Sequence, residues 1–218
     1  MEQAVEALQA LRDKLPLAAS ILNQEQIFLI SPMSASPAQI ALEDFLKLPY
    51  LEESPAWEYV DGIALQKPMP KTRHSILQKR LLDAVDDNSD EYTALPELRC
   101  TFGGRSVVPD VAVIAWDRIQ INEAGEPEDD FTEAPDWTIE ILSPDQKVTR
   151  VIDNILHCLR YGSKLGWMLD PDDYSILLFS PHQEPEVCRG ARQLMVLEGI
   201  ELGLTVEQVF AWLKVGQR

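Results

Sequence analysis

Hydrophobic and polar positions along this chain follow two periods, one typical of α-helices and one typical of β-strands. Helical spacing of the apolar residues predicts helices over residues 40–46, 76–85 and 149–161. Gly162 has the position of a helix-ending glycine after the last of these. Thr205 and Gln208 have the spacing of a capping box, which predicts a final helix in "LTVEQVFAWLK".

Strand patterns fall between the predicted helices. Asp61-Gly62 is a favoured two-residue turn between two alternating runs, so "WEYVDGIALQKPM" predicts a hairpin. Further strands are predicted in "LPELRCTFGG" and "SVVPDVAVIAW", joined by Gly103-Gly104-Arg105, in "APDWTIEILSPDQ", and in a second hairpin, "LGWMLDPDDYSILLFSP". This order predicts a mixed α/β (α+β) domain with a central β-sheet flanked by helices.

The first 36 residues have a different character and are predicted to be an appendage to the main domain, residues 37–218. Val5, Leu8, Leu11 and Leu15 repeat at helical spacing until Pro16, and a Ser/Pro/Ala-rich linker follows. The apolar face of this helix predicts a partner surface, for which a homodimer is the expected use.

Composition and charge narrow the candidate functions. Nineteen basic and 36 acidic residues give a net charge of −17, which argues against a surface devoted to nucleic acid. Basic residues nevertheless cluster at Lys67, Lys71, Arg73, Lys79 and Arg80, either as a phosphate-contact patch or as a solvated helix face.

Cysteine usage and hydropathy address the compartment. Cys100, Cys158 and Cys188 are widely spaced and form no CxxC pair, so we expect reduced thiols rather than disulfides or a zinc site. No apolar run approaches the length of about 18 residues typical of a membrane span, and the acidic N-terminus is unlike a secretory signal. A cytoplasmic protein without a membrane partner is therefore expected.

Two carboxylates interrupt otherwise apolar strands. Asp110 lies in "SVVPDVAVIAW" and Glu140 in "APDWTIEILSPDQ", and each has apolar residues on both sides. Two such acids suggest one shared site, because they would repel unless a divalent cation lay between them, and hard oxygen ligands suit Mg²⁺ or Mn²⁺. Glu58 and Glu97 are further acids in strand-like sequence, for which an edge strand with a solvated side chain is the alternative.

Several stretches together resemble the Uma-type restriction endonuclease family, which is common in cyanobacteria and has the PD-(D/E)XK restriction-endonuclease-like fold. The matching stretches, in the family's order, are "LEDFLKLPYLEE", "WEYVDGIALQKPMP" with the following histidine, "LPELRC", "VVPDVAVI", "PDWTIEILSPD" and "YGSKLGWMLDP". The resemblance implies that Asp110 and Glu140 bind the metal and that Glu58 is an additional acid reaching it. His74 matches a histidine that is frequent in the family. It either contacts the site or the substrate or caps a helix, and Lys71 and Arg73 are candidates for substrate binding beside it.

The chain departs from the family's pattern at its lysine. Such nucleases carry a lysine two residues after the second acid, and here that residue is Leu142. In the Uma-type family the lysine lies on the following helix, at a position that is Asn154 in this chain. Two residues are candidate substitutes for this lysine. Lys147 lies on the loop after the Glu140 strand, and the alternative for it is a solvated cation without a role in the site. His157 lies on nearly the same helical face as Asn154, and the alternative for it is a histidine packed against the sheet.

Three functions follow as hypotheses. The first is an Mg²⁺- or Mn²⁺-dependent endonuclease that cuts DNA with Asp110, Glu140 and Glu58 as metal ligands and Lys147 or another group assisting the attacking water. The second is a catalytically inactive nuclease-fold module for binding or assembly, which the missing lysine and the acidity favour. The third is a metal-dependent enzyme acting on a smaller phosphate substrate.

Overall fold

The computed structural model describes residues 39–51, 53–144, 146–214 and 216, and the predicted appendage of residues 1–36 lies outside them. Helices are α1 (Leu42–Phe45), α2 (Thr72–Asp86), α3 (Val148–Arg160) and α4 (Val206–Ala211), with a 3-10 turn at Trp116–Arg118. Strands are β1 (Trp57–Val60), β2 (Ile63–Gln66), β3 (Tyr92–Pro96), β4 (Cys100–Phe102), β5 (Arg105–Val107), β6 (Val111–Ala115), β7 (Trp137–Ile141), β8 (Leu165–Asp170), β9 (Ser175–Phe179) and β10 (Glu186–Arg189). The predicted mixed α+β class is confirmed.

The strands form two sheets. The larger sheet is mixed and six-stranded, in the order β10-β9-β8-β7-β6-β3, and the smaller one is four-stranded, in the order β2-β1-β5-β4. Pairing is antiparallel except between β7 and β8, which run parallel because α3 carries the chain across between them. The sequence pattern predicted a single central sheet, which corresponds to the larger of the two.

The prediction of one continuous strand in "SVVPDVAVIAW" is wrong. The segment divides at Pro109-Asp110 into β5, in the smaller sheet, and β6, in the larger sheet. Pro109 has no N–H for a sheet hydrogen bond, so a ladder cannot continue through it unchanged. Asp110 consequently lies where the chain passes from one sheet to the other.

Helices α2 and α3 cover the larger sheet through their apolar stripes. Leu77, Leu81 and Val85 of α2 are fully buried in the same core cluster as Trp137 of β7. Helix α3 approaches β8 so closely that a Cβ built on Gly166 would lie 2.4 Å from Cγ2 of Ile155. The close approach fixes α3 against the strands that carry Glu140 and its neighbours.

The predicted ends of two helices are confirmed. Gly162 has φ +115°, and the N–H groups of Gly162 and Ser163 donate to the carbonyls of Leu159 and Cys158, as in a Schellman motif. Thr205 and Gln208 form a capping box at the start of α4.

The Thr205 cap predicts a measurable loss of stability on substitution. The Oγ1 atom of Thr205 accepts from the backbone N–H of Gln208, whose Oε1 accepts in return from the Thr205 N–H at 2.7 Å. Thr205→Ala is expected to lower the free energy of unfolding by about 1 kcal/mol in urea titrations, whereas Thr205→Ser keeps the acceptor and serves as control. Equal midpoints for the two variants would contradict this assignment.

Among the described helices, none combines the length and hydrophobicity that crossing a bilayer requires.

Candidate active site

Strand register brings Asp110 and Glu140 together. Antiparallel pairing of β6 with β7 sets Val111 opposite Ile139, so the next residue of β7, Glu140, lies beside Asp110. The backbone N–H of Ile141 donates to Oδ2 of Asp110 at 2.7 Å. Both carboxylate residues are 2% exposed. The two acids that the sequence predicted to share a site are therefore neighbours in one buried location.

Glu58 reaches the same region from the smaller sheet. Its Oε1 accepts the backbone N–H of Val108 at 3.0 Å, two residues before Asp110. The side-chain amide of Asn154, on α3, lies 3.2 Å from each carboxylate oxygen of Glu58. Asn154 thus supplies a neutral donor at the position where the resemblance places a lysine, and its own Oδ1 is buried without a hydrogen-bond partner in the described structure.

Lys67, which the charge pattern groups with other basic residues, lies between the acids. Its Nζ is 2.6 Å from Oδ1 of Asp110 and 3.3 Å from Oε2 of Glu140. The same ammonium group donates to the carbonyl oxygen of Val108 at 2.7 Å. With a side chain only 10% exposed, Lys67 is part of the acidic site rather than of a solvated basic patch.

The electrostatics of the site divide the acids into two kinds. Burial acts to raise the pKa of Asp110, but the charge of Lys67 and the hydrogen bond from His74 outweigh it and hold that pKa well below its usual range. Burial raises the pKa of Glu140 well above its usual value, and the nearby carboxylates of Asp110 and Glu58 add to this against the pull of Lys67. Asp110 is therefore a compensated anion, whereas Glu140 lacks a sufficient counter-charge.

Burial alone would lower the pKa of the Lys67 ammonium, but the carboxylates of Asp110, Glu140 and Glu58 overcome that effect and raise it. Lys67 therefore stays protonated throughout the physiological range. It is a fixed positive charge in the site and not a proton acceptor.

His74 joins the site from the first turn of α2. Its Nε2 lies 3.0 Å from Oδ2 of Asp110, and the ring is largely buried. The Nε2–H group donates to the carboxylate, which leaves Nδ1 as the buried ring nitrogen without a partner in the described structure. His74 and Asp110 also line one cleft, together with Lys67, Glu97, Ser143 and Gln146.

The two basic residues proposed to contact substrate with His74 lie at the start of α2. Lys71 is exposed at the N-cap of α2. Arg73 donates to Oδ1 of Asp172 at 2.8 Å and to the carbonyl of Pro171, so it ties α2 to the turn between β8 and β9. The structure gives Arg73 a bridging contact and leaves its predicted role in substrate binding untested.

The two candidate substitutes for the family lysine are placed differently from each other. Lys147 is exposed at the N-cap of α3, and no contact in the described structure joins it to Glu58, Asp110 or Glu140. His157 is buried, with Nε2 3.2 Å from the carbonyl oxygen of Phe102 and its ring stacked on the Phe102 ring. Burial also lowers the pKa of His157, which favours a neutral, packed histidine.

The donor atoms fit a hard divalent cation only in part. In the residues that the structure describes, no group of three or more His, Cys, Asp or Glu side chains is gathered in a metal-binding arrangement. Lys67 instead occupies the space between Asp110 and Glu140. The carboxylates and the unpartnered Oδ1 of Asn154 are nevertheless the oxygen donors that Mg²⁺ and Mn²⁺ prefer.

Comparison with known proteins places these features in a family. Residues 42–209 match the family model Uma2, described as "Putative restriction endonuclease". The chain is similar to a crystal structure described as "a putative nuclease belonging to DUF820" from Anabaena variabilis ATCC 29413, with 45% identity and a TM-score of 0.76. The similarity covers 80% of this chain and 99% of that chain. Among curated proteins, none matches the chain significantly.

Proposed function

The chain belongs to the Uma2 family, and from this membership we propose that it is a divalent-metal-dependent endonuclease that hydrolyses phosphodiester bonds of DNA. The observation that carries the proposal is a set of three buried acids around one lysine in the described part of the chain. Glu58, Asp110 and Glu140 are 4%, 2% and 2% exposed, and within the described residues Lys67 is the lysine that contacts the last two. A buried carboxylate without a counter-charge is strongly destabilising, so a site of this kind favours binding of a cation.

Asp110 and Glu140 would hold the cation, and Glu58 would complete its oxygen environment. When bound, Mg²⁺ or Mn²⁺ would supply Lewis-acid polarisation of the phosphate and a more acidic attacking water. The unpartnered Oδ1 of Asn154 is a further hard oxygen close to Glu58. These residues suit a hard cation because all their donor atoms are oxygen.

The protein's own residues fix the geometry of the acids. Ile141 N–H and His74 hold Oδ2 of Asp110 in place, so the carboxylate cannot rotate freely. The Val108 N–H and the Asn154 amide do the same for Glu58. Preorganised ligands of this kind lose less entropy when they bind a cation and substrate.

Cation binding and DNA cleavage test the proposal in two steps. Calorimetric titration with Mn²⁺ should show binding to the wild type and a large loss of affinity in Asp110→Asn, which keeps the shape of the side chain but removes its charge. Plasmid cleavage in Mn²⁺ or Mg²⁺ should fall to background in Asp110→Asn, whereas Asp117→Asn, on an exposed side chain beyond β6, should cleave like the wild type. Cleavage that persists in Asp110→Asn would refute the proposed site.

A catalytically inactive binding or assembly module is the second candidate, and the environment of Asp110 favours it. Both of its carboxylate oxygens already accept hydrogen bonds from protein groups, Lys67 on one side and Ile141 and His74 on the other. A protein that binds Mn²⁺ but never cleaves plasmid DNA would support this candidate over the nuclease.

A further inference from the structure

Lys67 carries a chemical group that the rest of the site lacks. The two positions at which the resemblance places a lysine hold Leu142, which packs beside an apolar cluster, and Asn154, whose amide faces Glu58. Neither side chain has a positive charge. The Lys67 ammonium, by contrast, contacts Asp110 and Glu140 directly and comes from the segment after β2.

We propose that Lys67 is the catalytic lysine of this chain, supplied by the β1–β2 hairpin in place of the lysine that α3 lacks. The inference rests on the proposed nuclease function and adds to it the residue that stabilises the reacting phosphate. Asn154, at the helix position where the resemblance places the lysine, donates a hydrogen bond to Glu58 but adds no charge. The charge and the donor that one lysine would supply are thus divided between two residues.

The contacts of Lys67 suit a catalytic role better than that of a static ion pair. Its three N–H groups reach the Val108 carbonyl, Asp110 and Glu140, and the contact with Glu140, at 3.3 Å, is the longest. If Glu140 held a cation, its contact with Lys67 would be the first to weaken, and one N–H of the ammonium group would become free. Lys67 lines the cleft with His74 and Ser143, so a phosphate oxygen bound in that cleft would face the ammonium group.

The step that Lys67 would assist is hydrolysis of the phosphodiester. The oxygen of water forms a bond to phosphorus while the bond from phosphorus to the leaving ester oxygen breaks. One proton of the water passes to solvent, and the leaving oxygen takes up a proton from solvent. Lys67 contributes a fixed positive charge that stabilises the negative charge developing on the phosphate oxygens, and it transfers no proton.

The proposed role of Lys67 is tested by removing its charge and then placing a lysine on α3 instead. Lys67→Met should lower the rate of plasmid cleavage by about 10²–10³-fold, the usual cost of losing one preorganised donor. Mn²⁺ affinity should be kept or increased, because a competing positive charge has been removed. The double variant Lys67→Met/Asn154→Lys should regain much of the rate, and Lys214→Met, on an exposed lysine after α4, should match the wild type.

Thermal melting shows whether each variant is folded. If Lys67→Met does not fold, Lys67→Arg carries the test, since it retains the charge but displaces it, and we expect a loss of about 10- to 100-fold at an unchanged melting temperature.

The outcomes separate this inference from the proposed function. Wild-type cleavage that is unchanged in Lys67→Met would overturn the role of Lys67 and leave the nuclease intact. Loss of both cleavage and Mn²⁺ binding in a folded Lys67→Met would assign Lys67 to the structure of the metal site and also overturn its catalytic role. Absence of cleavage in the wild type would overturn the nuclease function and the inference with it.

Discussion

Glu140→Gln is expected to abolish cation binding and DNA cleavage and, at the same time, to make the metal-free protein more stable than the wild type. Glutamine has nearly the same shape but needs no counter-charge in a site where Glu140 is 2% exposed. Glu140 is one of three neighbouring buried acids, and its replacement by a neutral group relieves their mutual repulsion. Stabilising substitutions of this size typically contribute about 0.5–2 kcal/mol. The acid would then be retained for function at a cost in stability.

The difference in stability between Glu140→Gln and the wild type should depend on pH. Burial and the neighbouring acids raise the pKa of folded Glu140 above its usual 4.5, so the folded state keeps a proton that the unfolded chain releases. Glu140 therefore makes the metal-free wild type lose stability as pH rises from the unfolded pKa towards the folded one. The glutamine side chain of the variant does not titrate, so the advantage of the variant should grow with pH.

Urea unfolding with EDTA at about pH 5 and about pH 8 measures the difference between the two proteins. Glu184→Gln, which changes an exposed glutamate in the same way, should equal the wild type at both values. If Glu140→Gln were no more stable than the wild type at the higher pH, the protein itself would balance the charge of Glu140. The buried acids would then not require a bound cation.

Local sequence was sufficient to find Asp110 and Glu140, because each carboxylate interrupts an apolar run and such runs become buried strands. Their proximity required one more element, the antiparallel register of β6 with β7, which a single sequence does not state. The break at Pro109 was also visible as a residue that cannot donate in a sheet. Apolar residues nevertheless continue on both sides of Pro109, and for that reason the pattern predicts one strand.

The charge pattern places Lys67 in a basic patch, although the hairpin turn contains the information that places it in the site. A two-residue turn at Asp61-Gly62 pairs Glu58 with Leu65, and the Lys67 N–H donates to Ala56 in the same ladder. Since residues two apart in a strand share a face, Lys67 lies on the face that carries Glu58. Lys147, by contrast, is close to Glu140 in sequence only, and this closeness does not bring it into contact with the acids.

Strand β10 was not predicted, because its residues give almost no hydrophobic signal. Of Glu186–Arg189, only Cys188 is buried, and the strand lies at the edge of the larger sheet. Polar edge strands are common, since they discourage pairing with other chains. Pairing with β9 and burial of one side chain hold β10 in place, and neither is visible in local sequence.

Asp136 is a buried carboxylate whose pKa is lowered, whereas that of Glu140 is raised. It is 1% exposed, and Oδ2 accepts the Ala115 N–H at 3.0 Å and lies 2.8 Å from Nη1 of Arg118. Oδ1 lies 3.0 Å from Nζ of Lys164. Burial would raise the pKa of Asp136, but the hydrogen bonds from Ala115, Lys164 and Arg118 prevail and lower it. The ionised form therefore stabilises the fold.

Asp136→Ala is accordingly expected to lower the free energy of unfolding at neutral pH by about 2–3 kcal/mol, since it leaves the Ala115 N–H unpaired. The loss stays below that of a fully buried ion pair, because water screens the charge of Lys164, whose side chain is 58% exposed. The stabilisation by Asp136 is present above the unfolded pKa of 3.8 and disappears as pH falls through the lower, folded value. Urea unfolding should therefore show a gap between variant and wild type that is widest near neutrality and narrows in acid, whereas Asp117→Ala, on an exposed neighbour, should show almost none. A gap that is constant with pH would mean that the lost packing of Asp136, and not its charge, stabilises this corner of the fold.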